Sequence, residues 1–120
     1  MSLNTTIEHQ VGYLNLFVVS AIDNTPLPNA TVTIYVRDVR NIDIPIMMIV
    51  TTLNPILVQL PVAHSPGTII EGPENGYSIY DIKTEAVGYY ISRIYDIRVF
   101  NGISSNFNIS MIPISVEMQF

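Results

Sequence analysis

The residues best suited to chemistry lie in the stretch YSIYDIKTEAVGYYISRIYDIRVF, Tyr77 to Phe100, which holds five of the chain's seven tyrosines. Three carboxylates in it, Asp81, Glu85 and Asp96, are the residue type that acid–base catalysis on a glycan requires. The cations that can pair with them across strands are Lys83, Arg93 and Arg98. Each such pair is worth at most about 1 kcal/mol. We interpret the carboxylates as paired surface charges and not as a catalytic couple.

The sequence gives little support for catalysis or metal binding by histidine, because the chain has only two histidines, His9 and His64. Ser65 follows His64 directly, but a hydrolytic triad needs three groups that converge in space, which adjacency does not provide. The chain has no cysteine, and two distant histidines do not make a zinc site. It also lacks an EF-hand loop and a phosphate-binding glycine-rich loop. The sequence predicts no catalytic residue, no metal ligand and no cofactor.

A long segment, Val62 to Gly76, contains three of the six glycines and two of the eight prolines. Loops of this length in compact domains are functional or mobile, so we predict a contact loop here. Its polar residues are the candidate contacts: His64, Glu71, Glu74 and Asn75. The two glutamates could bind calcium or a cationic group, but a solvated loop is the preferred interpretation.

Composition favours one all-β domain. The 120 residues include 31 Ile and Val against seven Leu, and β-branched residues suit pleated strands. The net charge is −5 with no basic run, so nucleic acid is not an expected partner. The longest apolar run is far shorter than the ~20 residues of a membrane-spanning helix, and no signal peptide is visible. Compartment cannot be assigned from these features.

Alternation of apolar and polar residues predicts seven strands arranged as a Greek-key β-sandwich, with residues 1–11 as a flexible arm and 12–120 as the domain. In ATVTIYV the inward residues are Ala30, Val32, Ile34 and Val36. The opposite face of this strand leaves Tyr35 as an exposed candidate contact residue. A turn at Asn54 and Pro55 predicts a hairpin or an angled connection.

The same alternation explains the tyrosine-rich stretch. Tyr80 and Ile82 share one face, while Asp81 and Lys83 lie on the other, which we predict to be solvated. In the next strand Tyr95 is predicted to point inward with Ile97 and Val99. The tyrosines are therefore interpreted as amphipathic core residues whose hydroxyls reach the rim.

The order of these segments resembles the transthyretin-like, or carboxypeptidase-regulatory-like, β-sandwich. The matches lie in GYLNLFVVSAIDNTPLPNATVTIYV, LVQLP, YSIYDIKTEAVGYY and ISSNFNISMIP, over about residues 12–114. The positions that carry the family pattern are Pro26, Asn29, Ala30, Tyr77, Tyr80, Gly88 and Tyr89. A narrower resemblance is to the amino-terminal region of spore cortex-lytic enzymes and related peptidoglycan-associated proteins. The segment TTLNPILVQLP departs from the pattern because it lacks the family's glycine.

The resemblance implies a scaffold, and hence a non-catalytic binding or structural module of a spore or cell envelope, with a protein or peptidoglycan partner. Self-association through edge strands is a further expectation. The alternative is the 5-hydroxyisourate hydrolase branch of the family, which uses histidines and an arginine and ends in Tyr-Arg-Gly-Ser. This chain ends in ISVEMQF, and no catalytic residue of that branch is carried over.

Overall fold

The structure is a computed structural model that describes residues 10–52, 55–62 and 77–115. Within these ranges the chain forms seven strands and no helix, which confirms the predicted all-β class. The strands are β1 (Val11–Ser20), β2 (Thr31–Arg37), β3 (Asp43–Val50), β4 (Ile56–Pro61), β5 (Tyr77–Glu85), β6 (Ser92–Phe100) and β7 (Ser104–Met111). Val11, assigned to the arm from the sequence, is the first residue of β1.

The strands form two sheets. The three-stranded sheet has the order β4-β1-β7, with β1 antiparallel to β4 and parallel to β7. The four-stranded sheet has the order β3-β2-β5-β6 and is antiparallel throughout. Because β3 and β4 belong to different sheets, the turn at Pro55 is not a hairpin. The chain passes there from one sheet to the other.

One apolar core joins the two sheets. Every second residue of β1 is buried, and Leu14, Leu16 and Val18 have no exposed surface, as the alternation predicted. Val32 and Ile34 of β2, and Ala30 just before this strand, are equally buried in the same core. β-branched and leucine side chains on facing strands thus remove the apolar surface that drives folding.

The tyrosines divide into two groups. Tyr80 is buried, with 3% of its surface exposed, as the alternation predicted. Tyr95 was predicted to point inward, and that was wrong: 54% of its surface is exposed. Tyr90 is exposed as well, at 56%. The interpretation of the tyrosines as core residues therefore holds for only part of the set.

Thr51 ties the turn before β2 to the end of β3. Its side chain is fully buried, and its hydroxyl donates to Leu27 O at 2.8 Å and accepts from Ala30 N at 2.9 Å. Asn29 N donates to Thr51 O at 2.7 Å. The connection between β1 and β2 is thereby held against the core.

We expect Thr51→Val to lower the free energy of unfolding by about 2 kcal/mol, because valine keeps the shape but removes the acceptor of the buried Ala30 N–H. Urea unfolding measures the change. Thr52→Val, at an exposed position, is the matched control and is expected to change stability by less than about 0.5 kcal/mol. Equal effects of the two substitutions would contradict the role given to the Thr51 hydroxyl.

In the described part of the chain there is no helix with the length and apolar character needed to cross a membrane.

Candidate functional site

The predicted contact loop joins β4 to β5, and its candidate residues His64, Glu71, Glu74 and Asn75 lie outside the described residues. The described residues on either side of the loop are well anchored. The Tyr80 hydroxyl donates to the Pro61 carbonyl, and burial raises the pKa of Tyr80. At the far end, the rings of Tyr77 and Phe100 lie 5.4 Å apart. The loop therefore starts and ends on fixed strand residues.

Several of the positions on which the resemblance was based lie at junctions between strands and turns. Pro26 forms an isolated bridge with Val19, and Tyr89 forms one with Pro113. Asn29 and Gly88 have positive φ angles of 63° and 87°. At Gly88 the absence of a Cβ matters, since an L side chain is strained in this backbone region.

Two open depressions accompany these positions. One, of about 430 Å³, is lined by Asn29 and Tyr89 together with Glu85. The other, of about 500 Å³, is lined by Arg37, Asp38 and Tyr77. The structure thus brings Asn29 and Tyr89 together and leaves Tyr77 at a separate site.

Among the described residues, the densest group of ionisable side chains is one that the sequence did not reveal. We call it the Arg37 cluster; it is formed by Arg37, Asp43, Asp81 and Asp96. Arg37 Nη2 lies 2.7 Å from Asp81 Oδ1 and 3.0 Å from Asp96 Oδ1. Arg37 Nε lies 3.2 Å from Asp81 Oδ2 and 3.8 Å from Asp43 Oδ1. One guanidinium therefore faces three carboxylates from three strands.

Asp81 is the buried centre of the cluster. Only 3% of its surface is exposed, so the prediction of a solvated Asp81 was wrong. The predicted partners Lys83, Arg93 and Arg98 were wrong too, because Asp81 is bonded by Arg37 at the end of β2. Lys83 is instead paired with Glu85 on its own strand, at 3.7 Å.

A β-bulge in β6 builds part of this cluster. Tyr80 pairs with Ile97 but Ile82 pairs with Ile94, so Tyr95 and Asp96 together oppose the single residue Asp81. Asp96 has a φ of 62°, and its N–H donates to Asp81 Oδ1 at 2.9 Å. The extra residue reverses the alternation, which is why Tyr95 points outward.

The pKa values of Asp43 and Asp81 are shifted in opposite directions. Burial raises the pKa of Asp81, but hydrogen bonds from Arg37, Asp43 and the Asp96 N–H outweigh it and hold that pKa below its usual value. The hydrogen bond with Asp81 raises the pKa of Asp43, and burial and the charge of Asp81 add to this. When Asp43 is protonated, its carboxyl group can donate a hydrogen bond to the ionised Asp81.

Asp43→Asn should imitate the protonated form, because the amide can donate to Asp81 without adding a third negative charge. We expect the midpoint of thermal unfolding to rise by about 2 °C at pH 7. Since the folded pKa of Asp43 is raised, the stability it contributes in the wild type is present at low pH and lost as pH rises through that pKa. The gain should therefore vanish in acid.

Asp43→Ala is the matched control for this prediction, because it removes the charge and the donor together. It should give no rise in the unfolding midpoint. Scanning calorimetry between neutral and acid pH measures the unfolding midpoints of both variants. Equal gains from Asp43→Asn and Asp43→Ala would contradict the proposed hydrogen bond to Asp81.

Tyr35, considered as an exposed contact residue, is half-buried on the outer face of the four-stranded sheet. The Lys83 ammonium lies 6.0 Å from the centre of its ring. On the same face, Arg98 lies 5.1 Å from the centre of the Tyr77 ring. These aromatic residues are therefore covered in part by the chain's own cations.

Among the described residues, no group of three or more His, Cys, Asp or Glu side chains could hold a metal ion. In the Arg37 cluster, the place that a cation would take between the carboxylates is filled by the guanidinium. Both histidines lie outside the described ranges.

The chain matches no family model and no curated protein.

Proposed function

We propose that this chain is a non-catalytic binding or structural module with a prealbumin-like Greek-key topology. Its strand order supports this, because β5 lies beside β2 and β7 lies beside β1, so that both sheets combine strands distant in the sequence. Pairing of sequence-distant strands within each of two packed sheets is typical of Greek-key sandwiches. The segments that resemble the transthyretin-like family give the second line of support.

The main support for a non-catalytic role is that the buried carboxylate of the Arg37 cluster is occupied by bonds within the protein. In the described part of the chain, the buried carboxylate of the one dense ionisable cluster, Asp81, is fully engaged by hydrogen bonds within that cluster. Both Asp81 oxygens accept hydrogen bonds from Arg37, and Oδ1 also accepts one from the Asp96 N–H. A general acid or nucleophile needs an oxygen free to reach substrate. The cluster is suited to hold β2, β5 and β6 together.

We further propose an association with a spore or cell envelope, where the module would position or regulate a larger assembly. This step rests on the resemblance to the amino-terminal region of spore cortex-lytic enzymes. The partner would be a protein or peptidoglycan, contacted through the loop between β4 and β5 and through the exposed sheet surfaces.

A pull-down with isolated spore peptidoglycan, and separately with solubilised coat proteins, tests the proposal. We expect the purified chain to be retained by one of these and to show no turnover of 5-hydroxyisourate. Absence of retention by both materials would refute the proposed binding function. Measurable hydrolysis of 5-hydroxyisourate would refute its non-catalytic part and favour the hydrolase alternative.

Self-association through β3 is a second candidate that a specific observation favours. This edge strand exposes large apolar side chains: Ile44, Ile46, Met48 and Val50, at 43%, 42%, 69% and 50%. Pro45 and the register shift beside it limit regular pairing to the second half of the strand. Unpaired apolar edges of this kind favour pairing with another chain.

We expect the mass measured by light scattering to rise with protein concentration, and Met48→Lys to abolish the rise because a charge at the edge opposes pairing. Val87→Lys, at a fully exposed turn position, is the control and should leave the association unchanged. A constant monomer mass for the wild type would exclude self-association.

A further inference from the structure

The two outer faces of the molecule differ in charge. Four of the five cationic residues and four acidic residues lie on the outer face of the four-stranded sheet: Arg37, Lys83, Arg93, Arg98, Asp43, Asp81, Glu85 and Asp96. The outward positions of β1, β4 and β7 contain no Asp, Glu, Lys or Arg. We call this second surface the neutral face.

The neutral face combines aromatic rings with hydrogen-bonding amides in a regular array. Tyr13 and Phe17 are half-buried on the central strand β1, and Asn15 lies between them. Four residues of strand separate the two rings by on the order of 13 Å. The register places Asn106 beside Asn15 and Asn108 beside Phe17. Both of these β7 residues are exposed.

The amides keep much of their hydrogen-bonding capacity. Asn15 Nδ2 donates to Asn106 Oδ1 at 3.1 Å, which fixes the two side chains relative to each other. Each amide offers two N–H donors and one carbonyl acceptor, so the pair has both donors and acceptors left for a ligand. Gln59, exposed on β4 and in register with Tyr13, adds another amide.

We infer that the neutral face binds an uncharged polysaccharide chain lying along β1. The aromatic rings offer apolar surface to the C–H faces of the sugars, and the amides offer donors and acceptors to their hydroxyls. An ionic polymer would leave its charges without partners here, which is costly. This inference rests on the proposed binding function and assigns it a surface and a ligand class.

The centre of the face argues against a second copy of the chain as the occupant. Protein interfaces place their apolar residues at the centre and their polar residues at the rim. Here the polar pair Asn15 and Asn106 lies at the centre, with the exposed Leu57 of β4 beside it, and the rings lie on either side of Asn15 along β1. Such a layout suits a ligand that carries hydroxyl groups along its whole length.

Affinity electrophoresis of the full chain in gels containing hydroxyethyl cellulose, and co-sedimentation with insoluble chitin, test the inference. We expect retardation or retention by at least one of these uncharged polymers, and no stronger retardation by the anionic carboxymethyl cellulose. Because the neutral face lacks charge, retention should be unchanged in about 0.5 M NaCl. Salt at this concentration would weaken electrostatic contacts made by the charged outer face.

Two variants assign the contact to the neutral face. Tyr13→Ala removes a ring, and Asn108→Asp adds a charge at an exposed position without altering the core. Each should weaken retention about fivefold or more. The matched control Tyr95→Ala removes an exposed tyrosine from the other outer face and should have no effect. Unfolding midpoints verify that all variants are folded.

Retention that is lost in salt, unchanged in both variants, or absent on every uncharged polymer overturns the inference. A dimer in sedimentation velocity that Asn108→Asp dissociates would also overturn it and assign the face to self-association. If the face variants fail to change binding while spore peptidoglycan or coat protein still retains the chain, the proposed function stands and only this surface is wrong.

Discussion

Replacing Asp81 by alanine is expected to lower the free energy of unfolding by about 3 kcal/mol. Only 3% of the Asp81 surface is exposed, and its carboxylate accepts hydrogen bonds from Arg37 and from the Asp96 N–H. Removing it deprives the Arg37 guanidinium of its nearest counter-ion and the bulge of the acceptor that fixes it. The junction of β2, β5 and β6 then has to rearrange or admit water.

Asp81→Asn is the matched control, because it keeps the side-chain volume and one acceptor oxygen. We expect it to cost about half as much as the alanine substitution. Urea unfolding of both variants, analysed with a common slope, gives the comparison. A loss below about 1 kcal/mol for Asp81→Ala would show that the cluster is only a surface ion pair of the usual small value.

The pH dependence supplies an independent check. The folded pKa of Asp81 is lowered from its ordinary value of 3.8, so its contribution is present above that value and lost as pH falls through the folded pKa. The stability difference between wild type and Asp81→Asn should therefore be constant near neutrality and shrink in acid below 3.8. A difference independent of pH would contradict an ionised Asp81 as the source of the stability.

Local alternation was sufficient to predict the class of fold and most core positions. In β1 the buried Leu14, Leu16 and Val18 follow the pattern with no interruption. The pattern fails at Tyr95 because a single extra residue in β6 reverses which side chains point inward. The local sequence marks that residue only weakly, since aspartate adopts a positive φ more readily than most residues but far less readily than glycine.

The Arg37 cluster could not be predicted for a different reason. Arg37 and Asp81 are 44 residues apart, and they meet only because β5 pairs with β2 and not with the strand that precedes it in sequence. Alternation gives the face of each residue but not the neighbours of each strand. The neutral face was hidden by the same limit, because its uncharged positions come from three strands whose adjacency requires the sheet order.

Gly12→Ala is expected to destabilise the fold by about 3 kcal/mol, through a clash and not through backbone strain. A Cβ at this buried position would meet the Phe100 carbonyl oxygen and lie 2.5 Å from Val99 Cγ1. The carbonyl cannot easily withdraw, because it accepts a hydrogen bond from Ile103 N at 3.2 Å in the turn after β6. The close approach of β1 to the end of β6 therefore requires glycine.

Gly102→Ala separates this cause from the general cost of replacing glycine. Gly102 has a φ of 74°, but a Cβ there would meet nothing within 4 Å. Only backbone strain opposes the substitution, and we expect a loss of about 1 kcal/mol. Thermal and urea unfolding should show that the Gly12→Ala variant is clearly less stable than the Gly102→Ala variant. The reverse order would mean that β1 can move away from Phe100, and that the contact between the two sheets at this end is looser than the packing of Gly12 indicates.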